Sequence, residues 1–242
     1  MRLDKLLSRR NYGSRKDVKR LINSGHIMVN SLIVTKSDYD VKENDLININ
    51  NNEWYFNEYE YLAVHKKSGY VCANNDNFHQ TIFDCLPSNF SKNFHVVGRL
   101  DIDTEGLVII TNDGEFTHKV ISPVNKVCKI YEVHLKNNIL PHYQQEFLNG
   151  IVINKDYKCL SATLEKFDDN KCYLTIYEGK FHQIKKMFIS LQNEVIYLKR
   201  LQIGNLHLGT LPLGEYRMIS KEQMYHLCIS KENKKGENNE KT

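Results

Sequence analysis

Residues 60–229 switch repeatedly between short apolar runs of strand length and single helical stretches, and this alternation constrains the fold more than any other feature. Strands are predicted at 61–65, 107–110, 130–135, 172–177 and 195–198. Helical stretches are predicted at 81–86, ended by Pro87, and at 113–120, stopped before Pro123. Two more are predicted at 141–148, ended by Gly150, and at 181–191, where Ile184, Met187, Phe188 and Leu191 form an apolar stripe. Strands in this number, mixed with isolated helices, fit an α+β domain with a mostly antiparallel mixed sheet.

A smaller unit precedes it. Leu3, Leu6 and Leu7 at helical spacing predict a short helix over 2–10, broken at Asn11-Tyr12-Gly13. Ser14 reads as the N-cap of a second helix, with Asp17 as capping-box partner and Val18, Leu21 and Ile22 facing inward. Arg15, Lys16, Lys19 and Arg20 then share another face. Strands at 27–29 and 32–34, joined by a turn at Asn30-Ser31, and a third at 45–50 complete a head of residues 1–50. The polar, asparagine-rich stretch that follows reads as a linker over 51–59. The main domain then spans 60–229, and the tail 230–242, which has no apolar residue, reads as disordered.

Charge separates the two units. Residues 1–24 hold eight Lys/Arg against Asp4 and Asp17, whereas the whole chain carries only +4, so the remainder is slightly acidic. A basic head on a near-neutral body fits either a nucleic-acid-binding module or a solvated helical face. The 242 residues hold no apolar run of membrane-spanning length, so no membrane association is expected. MRLDKLLSRR lacks the apolar core of a secretory signal, and none of the six cysteines forms a C-x-x-C pair. A reduced, cytoplasmic protein is expected, with neither a disulfide framework nor a zinc site.

Two segments carry chemistry. In 98–115, GRLDIDTEGLVIITNDGE, Asp101 and Asp103 sit two residues apart with Glu105 following, in a turn bracketed by Gly98 and Gly106. Carboxylates lodged before a buried strand are costly unless paired or used. An Asx-type turn would account for Asp103 but not for the whole string. In 178–188, EGKFHQIKKMF, a Gly bend leads into a helix whose first turn offers His182, Gln183, Lys185 and Lys186. A lysine there can reach across to an anionic loop or lie on a solvated basic face.

These segments, in this order, resemble the pseudouridine synthases that act on ribosomal RNA. GRLDIDTEGL resembles the catalytic segment of that family, and LAVHKKSGYVCA (62–73) its first motif. KIYEV (129–133) resembles the motif bearing a tyrosine that stacks on the target base. EGKFHQIKKMF resembles the last motif, KRLQIGNLHLGTLPLGEYR (199–217) the closing pattern, and residues 1–48 an S4 RNA-binding domain. DGEFTHKVISP is more similar to the small-subunit (16S) members than to the large-subunit ones. Two departures stand out. The family usually has Pro after the lysine of the first motif, where this chain has Lys67. The basic residue of the last motif is often Arg and here is Lys185, a point charge without a bidentate fork.

The resemblance implies an isomerase converting one uridine to pseudouridine, with no cofactor and no metal. Its partner would be ribosomal RNA or a ribosomal subunit precursor, met by a monomer. Asp101 would act at C1′, as nucleophile or as base, and Lys185 would pair with it and hold its pKa down. Tyr131 would stack on the uracil. Arg99 would fill the space left by the flipped base, the alternative being an ion pair with Asp103 or Glu105. Arg15, Lys16, Lys19 and Arg20 would contact phosphates. The competing readings are a large-subunit (23S) target, a non-catalytic ribosome assembly factor working through its head, and a small-molecule hydrolase using Asp101 and Asp103.

Overall fold

Leu3, Leu6 and Leu7 come together on one side of α1 (Leu3–Arg9) because residues three and four apart stack on a helix. The computed structural model describes residues 1–87, 90 and 93–229; the tail expected from 230 lies outside the described residues. In α2 (Arg15–Asn23) the Ser14 hydroxyl accepts from the Asp17 N–H, and the Asp17 carboxylate accepts from the Ser14 N–H. That reciprocal pair satisfies two otherwise orphaned donors and starts the helix where the sequence predicts it. Val18 and Ile22 share a core with the three leucines and with Ile27, Val29 and Ile47 of a four-stranded sheet. That sheet is antiparallel throughout, in the order β2-β1-β3-β4, from β1 (Ile27–Val29), β2 (Leu32–Ile33), β3 (Leu46–Ile49) and β4 (Asn52–Tyr55).

The asparagine-rich stretch differs from expectation. Asn50 and Asn51 both have positive φ, 51° and 64°, and join Ile49 to Asn52 across a two-residue hairpin; Asn30 and Ser31 do the same between β1 and β2. Such turns need left-handed residues, and asparagine is among the few non-glycine residues that supply them cheaply. The composition that suggested a linker marks a tight turn, and residues 52–55 of that stretch form β4. Trp54 of β4 lies under the Arg10 guanidinium at 4.0 Å, and Arg10 Nη2 donates to Glu60 Oε1 at 2.5 Å. The first compact unit is Met1–Glu60 together with Leu86–Phe94.

The second unit takes Tyr61–Cys85 and the chain from His95 onward. Its sheet runs β11 (Thr163–Asp168), β12 (Lys171–Ile176), β8 (Lys129–Leu135), β13 (Val195–Ile203), β7 (Glu105–Thr111), β5 (Tyr61–Lys66), β15 (Tyr216–Ile219). In addition β6 (His95–Val97) pairs with β7 and β14 (Leu206–His207) with β13. Among the described strand pairings of this sheet only β7–β13 is parallel. This is the α+β, mostly antiparallel architecture that the alternation predicts. A separate hairpin joins β9 (Val152–Ile153) to β10 (Tyr157–Lys158). Strands β11 and β15 escape the sequence reading because β11 is exposed at all but one position and β15 buries none, which leaves no strong apolar alternation.

Four helices pack against the strands of this unit and position the site. Phe116 and Val120 of α3 (Gly114–Ile121) and Met224 of α6 (Lys221–Ile229) share a core with Tyr61, Ala63, Leu107 and Ile109. Buried Asp113 accepts from the Phe116 N–H at 3.0 Å and from the hydroxyls of Tyr61 at 2.6 Å and Tyr225 at 3.0 Å. One carboxylate thereby caps α3 and ties it to β5 and α6. Phe188 of α5 (Gln183–Ser190) meets Phe147 of α4 (Tyr143–Asn149) with ring centroids 5.0 Å apart.

Candidate active site

Lys66, at the end of β5, shapes the loop between β6 and β7 that carries GRLDIDT. Its buried ammonium donates to the carbonyls of Thr104 (2.8 Å), Lys67 (2.9 Å) and Ile102 (3.1 Å). The Gly69 N–H adds a bond to Ile102 O at 2.7 Å. Burial lowers the Lys66 pKa, opposed by the nearby acidic groups. Lys67 stands where the family usually has Pro, and its carbonyl helps to satisfy this buried charge.

Arg200 of β13 anchors the same loop from the other side. It is 2% exposed; Nε donates to Leu107 O at 2.7 Å and Nη2 to Gly98 O at 2.8 Å, and Nη1 lies 3.5 Å from the Tyr131 hydroxyl. Gly106 lies opposite Arg200 in the parallel pairing at φ +113°, and a Cβ there would sit 2.2 Å from the Arg200 carbonyl oxygen. The close approach of the two backbones therefore demands glycine. The sequence contains Arg200 within the closing pattern, but nothing in a strand arginine says which carbonyls it will meet.

Asp101 and Asp103 face the first turn of α5. Lys185 Nζ lies 2.6 and 2.8 Å from the two carboxylate oxygens of Asp103 and 3.4 Å from Asp101 Oδ2. His182 Nε2 is 3.5 Å from Asp101 Oδ1. Lys185 thus bridges both carboxylates, and its contact with Asp101, foreseen as the principal pair, is the looser one. Burial would raise the Asp103 carboxyl, but the Lys185 hydrogen bond and charge hold it below the ordinary carboxylate value. The Asp103 side chain is 62% exposed. Its pair belongs with surface ion pairs worth about 0–1 kcal/mol, not with the ~3–5 kcal/mol lost on breaking a buried one.

A buried carboxylate sets the start of α5. Glu178 accepts from Tyr157 Oη (2.6 Å), the Leu160 N–H (2.8 Å) and Gln183 Nε2 (3.1 Å), while Gln183 Oε1 accepts from the Lys180 N–H (2.9 Å). This clamp holds His182 at φ 52°, ψ 33°, a left-handed conformation that costs a non-glycine residue on the order of 1 kcal/mol or more.

These groups enclose a pocket of ≈120 Å³, lined among others by Asp101, Thr104, Lys129, Tyr131, Glu178 and Arg200. Arg99 and Lys185 also line it, so all four residues assigned to it by resemblance come together. Tyr131 is 7% exposed and sits opposite Arg200 across β8–β13. Arg99 is exposed and forms no ion pair among the described residues. Its proposed alternative partners are engaged elsewhere, Asp103 with Lys185 and Glu105 with the Tyr197 hydroxyl at 3.0 Å. Burial and the neighbouring Arg200 push Lys129 down to about 8. Thr104 Oγ1 is buried with no hydrogen-bond partner among the described residues, a feature that calls for an explanation in a native fold.

The head carries a second concavity, a groove of ≈910 Å³. Arg15, Lys16 and Lys19 of α2 line it, joined by Arg2, Lys5 and Arg9. Arg20, predicted on the same face, does not: it lies five residues from Arg15, about 140° round the helix, and is exposed outside the groove. The contribution of α1 was legible only as a charge count, because the packing of two helices decides which of their faces share a groove.

Comparisons with known proteins agree with this architecture. Residues 1–47 match the S4 domain, and residues 60–190 match the family described as RNA pseudouridylate synthase. Ribosomal small subunit pseudouridine synthase A of Vibrio cholerae is 37% identical over 226 residues, covering 93% of this chain and 98% of that protein. The Escherichia coli K12 protein of the same name is 33% identical over 227 residues, with the same coverage. An uncharacterized RNA pseudouridine synthase of Bacillus subtilis is 39% identical over 238 residues, 94% of this chain and 98% of that one. A crystal structure of a pseudouridylate synthase matches with a TM-score of 0.67 at 32% identity, covering 94% of this chain and 99% of the other. Fold and site define a class, enzymes with an S4 head ahead of a mixed-sheet isomerase domain. Within it, the chain belongs to the RNA pseudouridylate synthase family.

Proposed function

We propose that the protein converts a uridine of small-subunit ribosomal RNA to pseudouridine, with Asp101 acting at C1′. The observation that carries this reading is the convergence of Asp101, Tyr131, Arg99 and Lys185 on one pocket. At ≈120 Å³ the pocket is far below the roughly 300–1,000 Å³ that holds a drug-sized ligand, and suits one flat ring. The choice of small-subunit RNA rests on the relatives of that name, 33–37% identical over nearly the whole chain.

The reaction breaks the N1–C1′ bond, turns the base and joins C5 to C1′; the C5 proton leaves and N1 ends protonated. Asp101 attacks C1′ or removes a ribose proton, and either role uses its ionised form. Lys185 keeps positive charge beside the carboxylate pair. Tyr131, held by β8 against Arg200, stacks on the detached uracil and keeps it from escaping. Thr104 Oγ1 and Lys129 offer polar partners to a base that turns in place. Arg99 enters the space that the flipped uridine leaves, offsetting part of the few kcal/mol that unstacking costs. The head groove holds RNA phosphates with Arg15, Lys16 and Lys19.

Pseudouridine mapping of both ribosomal RNAs, with and without the gene, tests the reading. Loss of one site in the small-subunit RNA is expected, restored by the wild-type gene and not by Asp101→Asn. A site lost only from the large-subunit RNA would keep the chemistry and change the target. No change in either RNA would favour an assembly factor that works through its head.

A further inference from the structure

Phe181 stands immediately before His182, the N-cap of α5, and is 74% exposed, unusual for a phenylalanine. One face of its ring lies on the His182 imidazole, with centroids 3.8 Å apart and planes 21° apart. The Lys186 ammonium is 5.1 Å from its ring centroid. His182 in turn reaches Asp101 at 3.5 Å. The ring is therefore one stacking layer from a residue in contact with the candidate catalytic carboxylate.

We propose that Phe181 is a stacking platform for the nucleobase next to the target uridine in the substrate RNA. The proposal rests on the reading of Asp101 as the catalytic group. A uridine that reaches Asp101 has left its stack, and the neighbouring base has lost one partner face. A flat, exposed ring already stacked on an imidazole replaces that face. The left-handed His182 holds the pair in place before RNA arrives. Lys186 adds positive charge over the ring, 5.1 Å from its centroid, the combination of aromatic and cation used to bind single-stranded nucleic acid without demanding one base.

Phe181 is exposed, so its substitution leaves the core intact. Phe181→Ala, Phe181→Tyr and Phe181→Leu are compared with the wild type for pseudouridine formation in a small-subunit ribosomal RNA transcript. Phe181→Ala is expected to raise KM by about 5-fold or more, the effect of losing one base–aromatic stack, with kcat changed by less than about 3-fold. Phe181→Tyr restores KM and Phe181→Leu does not. An unchanged KM for Phe181→Ala, or rescue by leucine as complete as by tyrosine, overturns the platform. A wild-type protein that forms no pseudouridine in either ribosomal RNA overturns the parent reading instead. The platform is then decided without catalysis by Phe181→Trp combined with Trp54→Phe, which removes the one native tryptophan. Single-stranded oligouridine is expected to quench the new emission; no quenching at saturating RNA overturns the proposal.

Discussion

Without the Arg200 guanidinium, the buried carbonyl of Leu107 and the half-buried carbonyl of Gly98 would lose their charged donor. Each orphan costs about 1–3 kcal/mol, so Arg200→Met is expected to destabilise the second unit by about 2–5 kcal/mol. For a chain of this length that lowers Tm by roughly 5–15 °C, readable by calorimetry. Gly106→Ala drives a Cβ into the Arg200 backbone and is expected to abolish that unit's cooperative transition. Lys185 behaves differently. Its bond to Asp103 is well exposed, so Lys185→Met is expected to cost about 1 kcal/mol or less in stability while removing turnover. Asp103→Asn is expected to slow kcat by up to ~100-fold, because Lys185 loses its closest anchor and shifts near the site. Asp101→Asn is expected to remove turnover entirely and to leave RNA binding intact, measured by pseudouridine formation beside filter binding. Activity surviving in Asp101→Asn but not in Asp103→Asn would exchange the two roles.

Two elements carry further consequences. The Glu178 clamp is what gives α5 its start. Glu178→Ala strips the acceptor from three donors, frees His182 from its left-handed conformation and moves the helix turn that holds Lys185. Both kcat and Tm are expected to fall, and Gln183→Ala, which removes one arm of the clamp, should show the same pattern more weakly. On β5, the buried His65 Nδ1 bonds to Leu211 O at 2.8 Å and Nε2 has no hydrogen-bond partner among the described residues. Burial lowers its pKa below the model-compound value of 6.5. The unfolded chain therefore takes up this proton first as pH falls. The stability that His65 contributes is complete above pH 6.5 and is lost as pH drops through the lower, folded value. Thermal unfolding from pH 7.5 to 5 should show Tm falling, with a shallower slope in His65→Gln. At this scale the sequence was read best where a cap chemistry was explicit, as at Ser14 and Asp17. It was read worst at Asn50-Asn51, because a polar turn and a polar linker share a composition and differ only in φ.

For the whole molecule, the basic head groove is expected to make RNA affinity dependent on salt. Each phosphate contact removed should flatten the log–log salt slope by roughly 0.7 for single-stranded RNA. Arg15→Ala and Lys19→Ala are expected to do so, as are Lys5→Ala and Arg9→Ala from α1. Arg20→Ala, outside the groove, should leave the slope unchanged. Filter binding over a salt series separates the two groups. The sequence by itself determined the α+β class, the order of head and catalytic unit, and the identity of the acidic loop and the basic helix start. Those follow from periodicity, capping and local residue strings, which act over a few residues. Only the tertiary structure decided that Lys185 bonds Asp103 more closely than Asp101, that Arg200 ties Gly98 and Leu107 beside Tyr131, and that α1 joins α2 in the groove while Arg20 does not. The first two join residues tens of positions apart, at distances set by the packing of β7, β8, β13 and α5, and the groove is set by the packing of α1 on α2; local sequence encodes neither.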